Sequence, residues 1–358
     1  MTPRLSNFHH SNTLYRYILY NSSVALLIDG KQYPSLMLAP LAGISDLPFR
    51  MLNRSFGCGF AFAEMISARS LVYKSENTRK MLSTNAADKP LGVQLLGNNK
   101  EVMRQALDIL HISDFDLLNV NAACPVEKVI RKGEGAALMR DPVKLRSILK
   151  TLVNNSALPV TLKIRSGWDE DSVNARDVAL YASEAGIKAL FIHGRTRSQR
   201  YSGNVDYRII AGVKAALDIP VIASGDALSP LLIKKLFDET GCDGVTIARG
   251  ALGNPWIFKE TEEFLEKGTI AQRPHMRDIM DTMADHLAMC CDFQGETTGT
   301  KLFRKFYAWY TRSLYGSKPL REKAFHAITK KEMLDIIGEL RLSPLEDREK
   351  KEAFQLNP

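Results

Sequence analysis

The strongest constraint on this chain is a strand–helix alternation eight units long. Runs rich in Val, Ile, Leu and Phe recur at Leu36–Pro40, Phe60–Glu64, Leu91–Leu96, Asp116–Asn121, Val160–Arg165, Ala189–His193, Val221–Ser224 and Gly244–Ala248. Between them, Lys100–Leu110, Pro142–Val153, Ala175–Ala185, Asp206–Ala216 and Pro230–Phe237 place apolar residues every three to four positions, the period of a helix with one buried face. Eight such units between Leu36 and Ala248 fit a closed (β/α)8 TIM barrel of the α/β class, for which about 250 residues is usual. An open doubly wound sheet is the alternative.

A barrel of that size leaves chain to spare at both ends of the 358 residues. The reading is an N-terminal extension over 1–35, the barrel over 36–268, a smaller all-helical domain over 269–345 and a charged tail over 346–358. No segment approaches the roughly 18 uninterrupted apolar residues of a membrane span. The nearest, Leu14–Ile28, is broken by Arg16, Asn21, Ser22 and Ser23, so no membrane partner is expected. The cysteines at 58, 124, 242, 290 and 291 are odd in number and lack a CxxC pair. Neither a disulfide framework nor a metal site is indicated, and a cytoplasmic location fits.

Chemistry in such folds collects where strands end at their C-terminal edge. Cys124 stands there, in Asn119-Val120-Asn121-Ala122-Ala123-Cys124-Pro125, where Pro125 removes a backbone donor and stops the strand. Its thiol can donate a proton; a buried structural cysteine is the plainer reading. Around it, Ala39-Pro40-Leu41-Ala42-Gly43 forms a turn of small residues that a flat ligand can approach, Gln94 lies on the third run, and Lys163 and Arg165 on the fifth. His193-Gly194-Arg195-Thr196 closes the sixth. Ser224-Gly225-Asp226 and Ala248-Arg249-Gly250 follow the seventh and eighth, the usual phosphate-binding place of this fold, where Arg249 adds charge.

These motifs, with Lys163-Ile164-Arg165 and Gly253-Asn254-Pro255-Trp256, occur in the order found in the flavin-dependent tRNA-dihydrouridine synthases, which the chain resembles from about Leu36 to Tyr310. The resemblance implies an FMN-holding barrel reduced by NADPH or NADH, and a helical domain that helps grip tRNA. Asp29-Gly30 then fits the turn of a hairpin before the first barrel strand. Carried over by position, the resemblance sets Pro40, Leu41, Ala42, Gln94, Lys163, His193, Ser224, Gly225, Asp226, Ala248 and Arg249 against FMN. It makes Cys124 the acid that protonates C5 of uracil, puts Asn121 at the uracil edge, and leaves Arg195 and Tyr201 to hold the extruded nucleotide. Three positions depart from the family pattern: Ala123 and Ala248 replace glycine, and Ser224 replaces asparagine.

Beyond the barrel, Met276, Ile279, Met280, Met283 and Leu287 recur at helical spacing and read as core. In the next helix, Lys301, Arg304, Lys305 and Arg312 share one face, and the stretch from Thr297 to Lys331 holds nine basic residues against the one acid Glu322. That balance suits an RNA phosphate backbone, as does the net charge of +8. A monomer is expected. The rival readings are a flavin barrel acting on a free pyrimidine, of the dihydroorotate dehydrogenase type, and a non-catalytic RNA-binding homologue.

Overall fold

The computed structural model describes residues 25–110 and 114–342; the extension up to residue 24 and the charged tail lie outside the described residues. Strands β1 (Ala25–Ile28) and β2 (Lys31–Pro34) form an antiparallel hairpin. Its two turn residues, Asp29 and Gly30, both take positive φ, the mirror-image turn that matches strand twist. Eight strands follow: β3 (Leu36–Leu38), β4 (Phe60–Ser67), β5 (Leu91–Leu96), β6 (Leu117–Asn121), β7 (Val160–Arg165), β8 (Ala189–His193), β9 (Val221–Ser224) and β10 (Gly244–Ile247). All pair in parallel with their sequence neighbours, and β10 pairs back onto β3, so the sheet closes into a barrel. The open-sheet alternative is thereby excluded.

The barrel interior changes character along its axis. At the N-terminal end, Leu26, Ile28 and Tyr33 of the hairpin join Met37, Phe60, Phe62 and Phe191 in one buried apolar cluster. The Tyr33 and Phe60 rings meet edge to face at 5.5 Å, and burying each such side chain contributes roughly 1.5–3 kcal/mol. The hairpin is therefore the floor of the barrel. Above it the inward residues turn polar, with Gln94, Asn119, Thr161 and Thr246 all buried. Polar groups are tolerated there because they satisfy one another.

β4 is longer than the run Phe60–Glu64 predicts and carries a bulge between Phe62 and Met65. An extra residue in a strand reverses the alternation of faces beyond it. Met65 consequently faces the cavity described below, while Glu64 turns to the loop after β3.

After the barrel come helices Met276–Gln294, Glu296–Tyr310, Lys318–His326 and Lys330–Glu339. Gly299 lets the first two meet closely: a Cβ there would lie 2.5 Å from the Cys290 carbonyl oxygen. Phe306 stacks on Phe49 of the barrel helix Leu47–Ser55 with centroids 5.5 Å apart. The hydrophobic core runs unbroken from Leu36 to Leu340. Arg312, expected inside the second of these helices, lies beyond its C-terminal cap at Thr311. Among the described residues no helix is long and apolar enough to cross a membrane, and no group of His, Cys, Asp and Glu is placed to hold a metal ion.

Candidate active site

A cavity of about 560 Å³ opens at the C-terminal ends of the barrel strands, within the roughly 300–1,000 Å³ range of ligand sites. It brings together Pro40, Leu41, Ala42, Gln94, Asn121, Cys124, Lys163, His193, Tyr201, Ser224, Gly225, Asp226, Ala248 and Arg249. Among the described residues, the cationic helix residues Lys301, Arg304, Lys305 and Arg312 do not line it.

One wall is a chain of amides that fixes its own orientation. Asn119 donates to Thr161 Oγ1 at 2.9 Å and accepts from Gln94 Nε2 at 2.7 Å; Gln94 Oε1 in turn accepts from Asn121 Nδ2 at 2.7 Å. Asn121 Oδ1 then accepts the backbone N–H groups of Ala123 and Cys124, at 3.0 and 2.8 Å. The cysteine loop is thus tied to the barrel interior. Gln94 keeps one N–H and one lone pair beyond these bonds, a donor and an acceptor side by side. Cys124 is half-buried, and burial raises its thiol above the usual 9.0 despite Arg165 nearby, so it rests protonated. Gly135, at φ +60, packs under this loop, where a Cβ would come 2.8 Å from the Cys124 carbonyl oxygen.

The opposite wall is cationic. Lys163 Nζ donates to Ser224 Oγ at 3.0 Å, and burial with Arg165 close by lowers its ammonium to about 7. His193 is held neutral, well below 6.5, by burial and by Arg165, Lys163, Arg195 and Arg249. Arg195 Nη1 lies 3.4 Å from His193 Nε2. A guanidinium only donates, so Nε2 accepts and the ring proton sits on Nδ1. Asp226 bridges Arg195, at 2.5 and 3.0 Å, and Arg249, at 2.8 Å. The N–H groups of Gly225 and Asp226 find no acceptor among the described residues, and Arg249 lines the same part of the cavity.

The chain that builds this cavity matches the family model "Dihydrouridine synthase (Dus)" over residues 37–343. The chain belongs to the dihydrouridine synthase family. It is 38% identical to tRNA-dihydrouridine synthase B of Pseudomonas aeruginosa, over 80% of this chain and 86% of that protein. To the protein of the same name from Pasteurella multocida it is 37% identical over 88% and 95%. Among solved structures, histamine dehydrogenase from Rhizobium sp. 4-9 shares the barrel fold at TM-score 0.54 and 12% identity, over 74% of this chain and 50% of that one.

As a dihydrouridine synthase the protein is an oxidoreductase, and its departures from the family pattern are accommodated. Neither Ala123 nor Ala248 takes a positive φ, Ala248 lying at −113°, so neither methyl group stands in the left-handed region that favours glycine. Ser224 accepts from Lys163 and donates to the Ile192 carbonyl at 3.2 Å, which keeps the turn anchored. Arg195, expected at the nucleotide, instead lies behind the cavity wall. Its guanidinium is spent on Asp226, His193 and the carbonyls of Ser202 and Gly203. Tyr201 does reach the mouth, 55% exposed, with Arg165 and Arg249 5.7 and 5.4 Å from its ring centre.

The expected cationic stripe is divided. Arg304 donates to the Ala327 carbonyl at 2.7 and 3.0 Å, and Lys305 to the Gly43 carbonyl; Lys301 and Arg312 remain exposed. Asn119, Thr161, Met65 and Gly135 escape sequence reasoning, since each acts through a neighbour distant in the chain. Only the inward parity of Asn119 with Asn121 on one strand hinted at the amide chain.

Proposed function

We propose that the cavity binds one FMN per chain, reducible by NADPH or NADH, and that the enzyme reduces a uridine of tRNA to 5,6-dihydrouridine with Cys124 as the proton donor. The carrying observation is the convergence of a protonated thiol, the Asn121–Gln94 amide pair and Lys163 on one cavity. The residues fit the cofactor. Gly225 and Asp226 N–H groups with Arg249 take the phosphate, Pro40–Ala42 and Ala248 leave the flat approach a ring system needs, and Gln94 offers its free donor and acceptor to the pyrimidine edge. Lys163 supplies positive charge for the flavin edge that becomes negative on reduction.

Bound and reduced, FMN supplies the hydride that enters C6 of uracil. Asn121, fixed by Gln94, Ala123 and Cys124, orients the uracil edge. Cys124 gives its proton to C5 and is reprotonated from solvent, a role favoured by the burial that raises its thiol and keeps it protonated. Tyr201, 55% exposed at the mouth, stacks on the extruded nucleotide. The domain reading, with a barrel over 36–268 and a helical tRNA-binding unit over 269–345, belongs to this proposal. So does a cytoplasmic location, where the five free thiols persist. The test is flavin absorbance of the purified protein followed by mass mapping of tRNA incubated with NADPH. A gain of two mass units at one uridine is the expected result; a folded protein that binds no FMN would exclude it.

A further inference from the structure

Lys305 occupies an unusual place for a lysine of a tRNA-gripping helix. Half-buried, it reaches across to the barrel, where its ammonium donates to the Gly43 carbonyl. From the other side, the Glu64 carboxylate accepts the Gly43 N–H, an orientation made available by the bulge in β4. Gly43 sits at φ +69 between Ala42 and Ile44, both of which line the cavity. The rest of the turn is closed by Ser45, whose hydroxyl accepts the Leu41 N–H at 2.9 Å and whose N–H reaches the Leu41 carbonyl at 2.9 Å. Two contacts from outside and one closure within therefore decide where Leu41, Ala42 and Ile44 stand.

The same helix, Glu296–Tyr310, also braces the neighbouring loop. A Cβ on Gly253 would lie 2.5 Å from the backbone of Trp309 and Tyr310, and Leu252 beside it lines the cavity. Since β10 pairs with β3, the two braced loops are adjacent in the barrel. Phe306, next to Lys305 and stacked on Phe49, holds the helix at this seam.

We propose that Lys305 is a positioning residue for the cofactor cavity: through Gly43 it clamps the Leu41–Ile44 turn against the barrel, so the helical unit completes the FMN site. This rests on the reading that the cavity holds FMN. Lys305 then contributes to flavin affinity and not to the salt dependence of tRNA binding, the reverse of what a cation facing phosphate does.

The test is titration of apoprotein with FMN, followed by quenching of flavin fluorescence, beside deuterium uptake over residues 36–49. Lys305→Met should weaken FMN binding by about tenfold or more, the worth of one charge-assisted hydrogen bond, and speed exchange in that segment. Lys305→Arg should restore both, and the tRNA salt slope of the flavin-loaded Lys305→Met protein should stay at the wild-type value. Failure of wild-type protein to bind FMN overturns the cofactor reading and this proposal with it. Wild-type binding together with Lys305→Met affinity within twofold overturns this proposal alone. Should Lys305→Met not fold, Glu64→Met releases Gly43 from the barrel side, and unchanged FMN affinity in that variant overturns the clamp.

Discussion

Cys124 and Lys163 show how burial in one cavity moves an acid and a base in opposite directions. Burial raises the thiol and lowers the ammonium, because both shifts favour the neutral form. For the thiol this preserves the proton that the proposed transfer to uracil C5 needs. Cys124→Ala is therefore expected to lower tRNA turnover by about 10²–10⁴-fold while flavin reduction by NADPH, followed by stopped-flow, stays near wild type. For Lys163 the shift has a consequence for stability. The unfolded lysine keeps its proton to about 10.5, whereas the folded one loses it near 7, so between those values the unfolded state binds more protons and stability rises with pH. Below about 7 the full penalty of burying the charge is present. Lys163→Met should accordingly stabilise the flavin-free protein more at pH 6 than at pH 9, as measured by urea denaturation.

At the level of elements, the site is built from strand ends whose loops are held by glycines and by one bulge. Gly225 adopts φ +115, and a Cβ there would meet His193 Cδ2 at 2.8 Å and Val205 Cγ2 at 2.7 Å. Both strain and collision follow from adding a methyl group. Gly225→Ala is expected to destabilise the protein by about 1–3 kcal/mol and to weaken FMN binding, with a lowered melting temperature and a raised Kd as the readouts. The bulge in β4 acts in the opposite sense, by turning a side chain away. A regular strand would aim Glu64 into the barrel interior on the same side as Phe62; the inserted residue gives that place to Met65, whose sulfur lies 3.1 Å from Asn121 Nδ2.

For the molecule as a whole, the helical unit packs on the barrel and divides its cations between the fold and the surface. Arg304 and Lys305 are committed inside the fold, whereas Lys301 and Arg312 are exposed. Replacing Lys301 and Arg312 with Ala should reduce the salt slope of tRNA binding by up to roughly 0.7–0.9 per lost phosphate contact and leave FMN affinity unchanged. Arg304→Ala should instead cost about 1.5–3 kcal/mol of stability with the slope intact, because its hydrogen bonds hold the Ala327 carbonyl. Denaturation and filter binding at several salt concentrations separate the two outcomes.

Much of this was legible before any coordinates. Strand and helix identity follow from local periodicity, so β5, β7, β8 and β9 begin and end where the apolar runs do. Eight units of the right length left few topologies, and residues at strand C-terminal ends had to share one mouth. What the chain alone determined was therefore the barrel and which strand-end residues share its mouth. Tertiary structure decided the partners. That Asn119 orients Gln94, that Arg195 is consumed by Asp226, and that Lys305 reaches Gly43 across 262 positions depend on contacts between distant segments. The direction of a long charged side chain carries no periodic signal; it is set by which oxygen atoms the finished fold brings within its reach.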